Sequence, residues 1–400
     1  MGLAGSLLLG CTSSSGPAGT PAQVRVLATA VADEPLAVSV SALRPDQQVV
    51  VVVRATDGKE VEWESRTPAT ADSRGAVELG ATAGRTTELA WRMQPLEAAV
   101  DLTAFFWPAA AVSFQIAVED DAGRVLGTAT QQRRLQVRPS AGIQLTLAAD
   151  GLDALYSKPE GVGPDGAPAV LVLGGSEGGQ PYPLNGAVLA GRGHHVLELA
   201  YWDRPGLPAR LADVPLEYFE RALLWLREQP GVDPDLVVVR GVSRGGELAL
   251  LLGATYPSLI AGVIAGVPSS VVNCSFPACI GPAWTRAGRP VPYTTAFNDL
   301  EPPEGAAVEI PVERIRGPVL VNCGGRDDIW SSCDFLDAIV ARRKAAGLST
   351  LAARYPEAGH GVGMDIPGEP RSPQGPTYAA DRAAVEDMHQ RELALLAALR

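Results

Sequence analysis

Between residues 236 and 253 the chain passes from one apolar stretch to another through Gly241-Val242-Ser243-Arg244-Gly245. A five-residue G-x-S-x-G match recurs by chance, so its flanks carry the weight. Residues 236–239 are continuously apolar, the pattern of a strand buried on both faces of a parallel sheet. Residues 248–253 lead out as an apolar helix. Strand, sharp turn and helix in that order strain the central serine and lift its hydroxyl clear at the C-terminal end of the sheet. Small residues must flank such a turn. Gly241 and Gly245 meet that need, and Gly246 lets the helix pack closely.

The same alternation runs through residues 139–400. Strands are expected at 169–173, 196–200, 236–239, 318–322 and 352–355, and helices at 183–190, 217–228 and 379–400. That pattern specifies a doubly wound α/β sheet. The Pro- and Gly-rich stretch 273–311 interrupts it and reads as an excursion above the sheet, where a lid or substrate wall would sit. Residues 22–138 read differently. The β-branched run 47–53, the alternation at 61–65, and the runs 112–119 and 125–131 around Asp120-Asp121-Ala122-Gly123 describe short strands joined by turns. They predict a smaller all-β, immunoglobulin-like sandwich with no histidine and a structural role.

A serine hydroxyl is a poor nucleophile without a base, and in this kind of fold the partners follow as serine, acid, histidine. The chain has four histidines, and only His360 and His389 follow Ser243. His389 falls inside the final helix and reads as a surface or packing residue. His360, in Ala358-Gly359-His360-Gly361 after the last strand, is the candidate general base. His194 and His195 start a strand, at its wrong end for the crevice, and read as structural. The acid comes from Gly324-Gly325-Arg326-Asp327-Asp328 after strand 318–322. Asp327 is preferred by its spacing over Asp328, which reads as a solvated or capping carboxylate. An oxyanion hole needs two aimed N–H groups. Arg244 follows the nucleophile and supplies one. The glycine-rich loop after strand 169–173 supplies the other, from Ser176 or, failing that, Gly175. That loop has neither GxxxxGK[ST] nor GxGxxG, so a nucleotide-phosphate role is not expected.

With 33 basic and 45 acidic residues the formal charge is −12, which argues against nucleic acid as a partner. No apolar stretch reaches the length of a membrane span. Leu8-Leu9-Gly10-Cys11 resembles a bacterial lipobox, so residues 1–21 are expected to be a lipoprotein-type signal and flexible linker, with Cys11 lipidated and the protein held outside the cytoplasm. The alternative is an ordinary terminus and a cytoplasmic protein. Cys274, Cys279, Cys323 and Cys333 fall in two close pairs. They allow two local disulfides or four separate thiols, and neither pair has the CxxC spacing of a zinc site. No metal and no cofactor is expected.

Several motifs together resemble the bile acid-CoA:amino acid N-acyltransferase/acyl-CoA thioesterase family. They are Glu34-Pro35-Leu36 with Ala42-Leu43-Arg44-Pro45, Phe105-Phe106-Trp107, Ile310-Pro311-Val312-Glu313 with Ile315-Arg316-Gly317-Pro318, residues 325–331, and Tyr355-Pro356 with Gly359-His360. The resemblance covers nearly the whole chain after about residue 22. It implies a β-sandwich joined to an α/β-hydrolase domain, and a triad of Ser243, Asp327 and His360. Members that conjugate bile acids carry cysteine as nucleophile, so Ser243 implies hydrolysis of an acyl thioester through an acyl-serine. The competing readings are an exported carboxylesterase or acyltransferase using the same triad, and a surface binding protein without activity.

Overall fold

The computed structural model describes residues 21–80, 88–96, 105–108, 110–136, 140–161, 166–181, 183–295, 308–362, 370 and 375–400. The lipobox and Cys11 lie outside the described residues.

The α/β alternation folds into one eight-stranded sheet. Its strands are β1 (Ser140–Leu145), β2 (Asp153–Pro159), β3 (Ala167–Leu173), β4 (His195–Ala200), β5 (Val232–Val242), β6 (Gly262–Gly266), β7 (Val319–Gly324) and β8 (Leu351–Tyr355). They lie in the order β1-β2-β4-β3-β5-β6-β7-β8, with β2 antiparallel to both neighbours and the ladders from β4 to β8 parallel. All seven residues of β3 are buried, because helices cover both faces. The alternation of side chains sorts the core. Leu171, Leu197 and Val239 pack with α2 (Leu216–Arg227), α3 (Arg244–Thr255) and α4 (Ser332–Ala345). Val170, Val196 and Val238 pack on the other side with α1 (Pro183–Gly191) and α5 (Tyr378–Ala398). Each fully buried aliphatic side chain of this kind contributes about 1.5–3 kcal/mol.

Ahead of this sheet lie a six-stranded sheet from Thr29–Val31 to Val125–Arg134 and a three-stranded one of Gln23–Arg25, Val38–Ser41 and Val77–Leu79. Trp63, Phe105, Trp107 and Phe114 fill their shared core. The turn expected at 120–123 forms. Asp120 accepts from the N–H groups of Ala122 and Arg124, and Gly123 takes φ 76°.

His389 is neither a surface residue nor simple packing. Its Nε2 lies 2.9 Å from the Asp33 carboxylate, which also accepts from Arg192 at 2.5 Å. Burial works to raise the Asp33 pKa, but the hydrogen bonds from His389 and Arg192 win, and it lies below the usual carboxylate range. This pairing ties the N-terminal β region to α1 and α5. Trp91 and Tyr378, at the start of α5, meet edge to face at a second contact, with ring centres 5.9 Å apart. The sequence hides the contact because its partners are hundreds of positions apart.

Glu198 is a carboxylate set into the sheet, fully buried on β4 under α1. Its Oε1 accepts from Gly186 N–H at 3.3 Å, and Oε2 has no hydrogen-bond partner among the described residues. A Cβ on Gly186 would stand 2.2 Å from that oxygen, so any larger residue there would push the carboxylate aside. Burial pushes the Glu198 pKa up to about 8, against the opposing pull of Gly186 N–H and Arg240. A pKa raised on folding lets the native state hold a proton that the unfolded chain releases, so stability falls as pH rises from about 4.5 towards 8. Glu198→Gln removes this dependence. Urea titrations are expected to show it more stable than wild type by over about 1 kcal/mol at pH 8 and little different at pH 4.5.

Candidate active site

The turn between β5 and α3 is built from peptide groups in direct contact. Ser243 adopts φ 57°, ψ −123° as the N-cap of α3, a left-handed conformation that costs a side-chain-bearing residue about 1–3 kcal/mol. The cost is tolerated because the surroundings leave no other arrangement. A Cβ on Gly241 would meet Gly245 O at 2.0 Å, and a Cβ on Gly245 would meet Gly174 O at 2.3 Å. The Ser243 N–H donates to Gly266 O on β6 at 2.9 Å, and its carbonyl accepts from Glu247 N–H at 3.0 Å. The hydroxyl is thereby held at the C-terminal edge of the sheet, over the N-terminus of a twelve-residue helix.

The structure brings Ser243, His360 and Asp327 together. His360 Nε2 is 2.9 Å from Ser243 Oγ, and His360 Nδ1 is 2.8 and 2.9 Å from the two Asp327 oxygens. Asp327 is buried at its side chain and also accepts from the N–H groups of Ile329 and Trp330, so its carboxylate has a fixed direction. The Trp330 ring stands edge-on to the imidazole at 5.7 Å and donates its indole N–H to Val267 O. The histidine loop is pinned from behind, where Gly359 N–H donates to Asp381 at the start of α5. Asp328 is exposed. His194 and His195 sit at the opposite end of β4. His195 Nδ1 is 2.5 Å from the Tyr156 hydroxyl, and burial pushes both imidazoles down to about 4.

The glycine-rich loop after β3 lies against the elbow. A Cβ on Gly175 would touch Val242 O at 3.2 Å and Ser243 Cβ at 3.3 Å. The N–H of Gly175 is taken by the Glu177 carboxylate at 2.8 and 2.9 Å. Ser176, the other candidate in this loop, is half-buried beside it. Arg244 opens α3 with its N–H at the helix N-terminus, but its side chain turns inward and is fully buried.

The sequence offered no sign of what Arg244 holds. Its guanidinium pairs with Glu247 at 2.8 Å and donates to the carbonyls of Asn273 and Cys274. Glu247 also accepts from Asn273 Nδ2 and from the Trp284 indole. Burial pushes the Glu247 pKa up and the Arg244 pKa down, each opposed by the other's charge. A buried pair of this kind adds little net stability, but losing one partner strands the other at a cost of about 3–5 kcal/mol. Its effect is to tie the elbow helix to the chain above it. That chain carries the Cys274–Cys279 disulfide, and Cys323–Cys333 forms a second.

An open sheet in this order, with serine after β5, a carboxylate after β7 and histidine after β8, defines an α/β-hydrolase enzyme. Two family models match its two regions in turn. The acyl-CoA thioester hydrolase/BAAT N-terminal region matches residues 33–140, and the BAAT/acyl-CoA thioester hydrolase C-terminal region matches residues 214–377. The chain belongs to this family of acyl-CoA thioester hydrolases and bile acid-CoA:amino acid N-acyltransferases. It is similar to acyl-coenzyme A thioesterase 1 of Rattus norvegicus, 29% identical over 359 residues and 82% of each chain. Acyl-coenzyme A thioesterase 6 of Homo sapiens is 29% identical over 356 residues, again 82% of each chain. Among solved structures, a Mycobacterium tuberculosis puromycin-hydrolyzing peptidase covers 96% of this chain and 69% of its own at 14% identity and a TM-score of 0.47, too low to bear on function.

Because the elbow is held by backbone contacts, its variants have opposite signs. Ser243→Gly removes the left-handed strain and is expected to raise unfolding free energy by about 1 kcal/mol in urea titration. Gly245→Ala drives a methyl into Gly174 O and is expected to lower it by more than that.

Proposed function

We propose that this protein hydrolyses acyl-CoA thioesters to a carboxylic acid and CoA, with Ser243 as nucleophile, His360 as base and then acid, and Asp327 as the group that orients the imidazole. The observation that carries this reading is the unbroken run of hydrogen-bond distances from Ser243 Oγ through His360 to Asp327. The substrate class is inferred from the thioesterases to which the whole catalytic region is similar.

In this reading Ser243 Oγ attacks the thioester carbonyl carbon while His360 Nε2 takes its proton. Asp327 accepts from Nδ1, fixes the tautomer and stabilises the imidazolium. The carbonyl oxygen becomes an oxyanion facing the N–H groups of Arg244 and Ser176, each worth roughly 100-fold or more in rate. Collapse breaks the C–S bond, and His360 returns its proton to the departing sulfur. Water then attacks the acyl-serine, gives a proton to His360, and the acid leaves as Ser243 recovers its hydrogen. The reaction needs no metal or cofactor. Fluorophosphonate treatment followed by intact-mass analysis is expected to add one phosphonyl group to wild type and none to Ser243→Ala. Hydrolysis of palmitoyl-CoA by the variant is expected to fall at least about a thousandfold. A labelled wild type that cleaves p-nitrophenyl esters and leaves acyl-CoAs of every chain length intact would refute the thioesterase assignment.

We further infer that the chain is exported and lipidated on Cys11. The lipobox-like Leu8-Leu9-Gly10-Cys11 supports this, as do the two disulfides, which persist in oxidising compartments. Mass analysis of protein recovered from membranes is expected to show a diacylglyceryl-modified Cys11 as first residue. An unmodified N-terminus in the soluble fraction would overturn the inference.

A further inference from the structure

We propose that the Cys323–Cys333 disulfide is a positioning device for the acid of the site, holding Asp327 where the imidazole of His360 needs it. This rests on the reading of Ser243, His360 and Asp327 given above. Cys323 is the penultimate residue of β7 and Cys333 the second of α4, ten positions apart, and the loop they close contains Asp327.

Apart from the disulfide, the later half of that loop is held by short-range bonds, with Asp327 N–H donating to Gly324 O and Asp327 accepting from Ile329 and Trp330 N–H, and by the Trp330 indole on Val267 O. Gly325, Arg326, Asp328 and Ile329 are exposed, so burial fixes only Asp327 and Trp330. Two glycines, Gly324 and Gly325, widen the choice of backbone paths. Gly325 and Arg326 donate to the carbonyls of Tyr355 and Ala358, which fastens the first half of the loop to the chain leading to His360. The second half, from Asp327 to the start of α4, has no such tie to the histidine loop among the described backbone hydrogen bonds. Ser332 Oγ reaches back to Gly324, but at 3.3 and 3.4 Å. The disulfide is the covalent bond that joins the far end of the loop to the end of β7. It converts an exposed connection into a closed ring with far fewer conformations, which favours the one that keeps the carboxylate on Nδ1.

The other disulfide has a different task. Cys274–Cys279 closes a turn whose Cys274 carbonyl accepts from Arg244, and so acts on the elbow side. Cys323 is fully buried, whereas Cys333 is only partly covered, so the acid-loop disulfide is open to attack from one side. A shift of about 1 Å in an orienting group costs about 100-fold in rate without touching substrate binding. The signature of lost positioning is therefore a fall in the chemical step alone.

The test compares wild type with Cys323→Ala/Cys333→Ala using a fluorophosphonate probe. The maximal phosphonylation rate is expected to fall about 10- to 100-fold while the probe concentration giving half that rate stays within about twofold. Proton NMR is expected to show the far-downfield resonance of the His360 Nδ1–H in wild type and its loss in the double variant. Equal maximal rates, or an unchanged resonance, overturn the proposal. A wild type that takes no label at all would instead defeat the assignment of Ser243. Should the double variant fail to fold by circular dichroism, wild type is reduced in a time course with dithiothreitol, which surrenders two electrons and two protons to the disulfide and closes into its own cyclic disulfide. The labelling rate is then expected to fall in step with the fraction of Cys333, and not of Cys279, that a parallel aliquot shows open to iodoacetamide, and to recover when an unalkylated aliquot is reoxidised. Full-rate labelling with Cys333 completely alkylated overturns the proposal.

Discussion

The site depends on peptide groups that meet with no side chain between them. The carbonyls of Leu173 and Gly174 at the end of β3 lie where any methyl on Gly245 would have to go, and Gly241 faces Gly245 across the turn in the same way. Because these groups touch, the end of β3, the end of β5 and the start of α3 cannot move independently. The strained Ser243, the loop carrying Ser176 and the helix N-terminus arrive as one rigid body. Dispersion and hydrogen bonding along β3 and the buried second half of β5 maintain that contact, and the strain at Ser243 is small beside them.

The remaining partners are brought to this body by strand order. The ends of β7 and β8 lie side by side, so the loops that follow them touch, and a Cβ on Gly324 would stand 2.1 Å from Gly359 O. Asp327 and His360 are 33 positions apart in the chain yet share a hydrogen bond because neighbouring parallel strands deliver them to one rim. Trp330 closes the back of the imidazole and leaves its Nε2 edge facing the serine.

Much of this was legible in the order of residues. The elbow has a local signature, since its strand, turn and helix are contiguous, and His360 was left by elimination among few histidines. The choice of Asp327 over Asp328 followed spacing, and the structure separates them by burial. What escaped notice was long-range. The pairing of Arg244 with Glu247 has no local signature, since their further partners, Asn273 and Trp284, lie in an irregular stretch without periodicity. His389 read as unremarkable because Asp33 lies 356 positions away. Strand bounds shifted by a few residues wherever apolar character faded gradually, as at β5, whose first half is partly exposed. The pairing of cysteines was undecidable from spacing and becomes plain once β7 and α4 are adjacent.

Asp33 has a consequence for how such a chain can change over time. It is an acidic group of the N-terminal β region whose partners, Arg192 and His389, both belong to the other region. Cutting the polypeptide before β1 would leave Arg192 and His389 facing an emptied socket. Fusing a foreign module in place of the β region would need a carboxylate at the same point. Exchanging either part for a foreign one therefore leaves this joint unpaired unless both of its sides are exchanged at once.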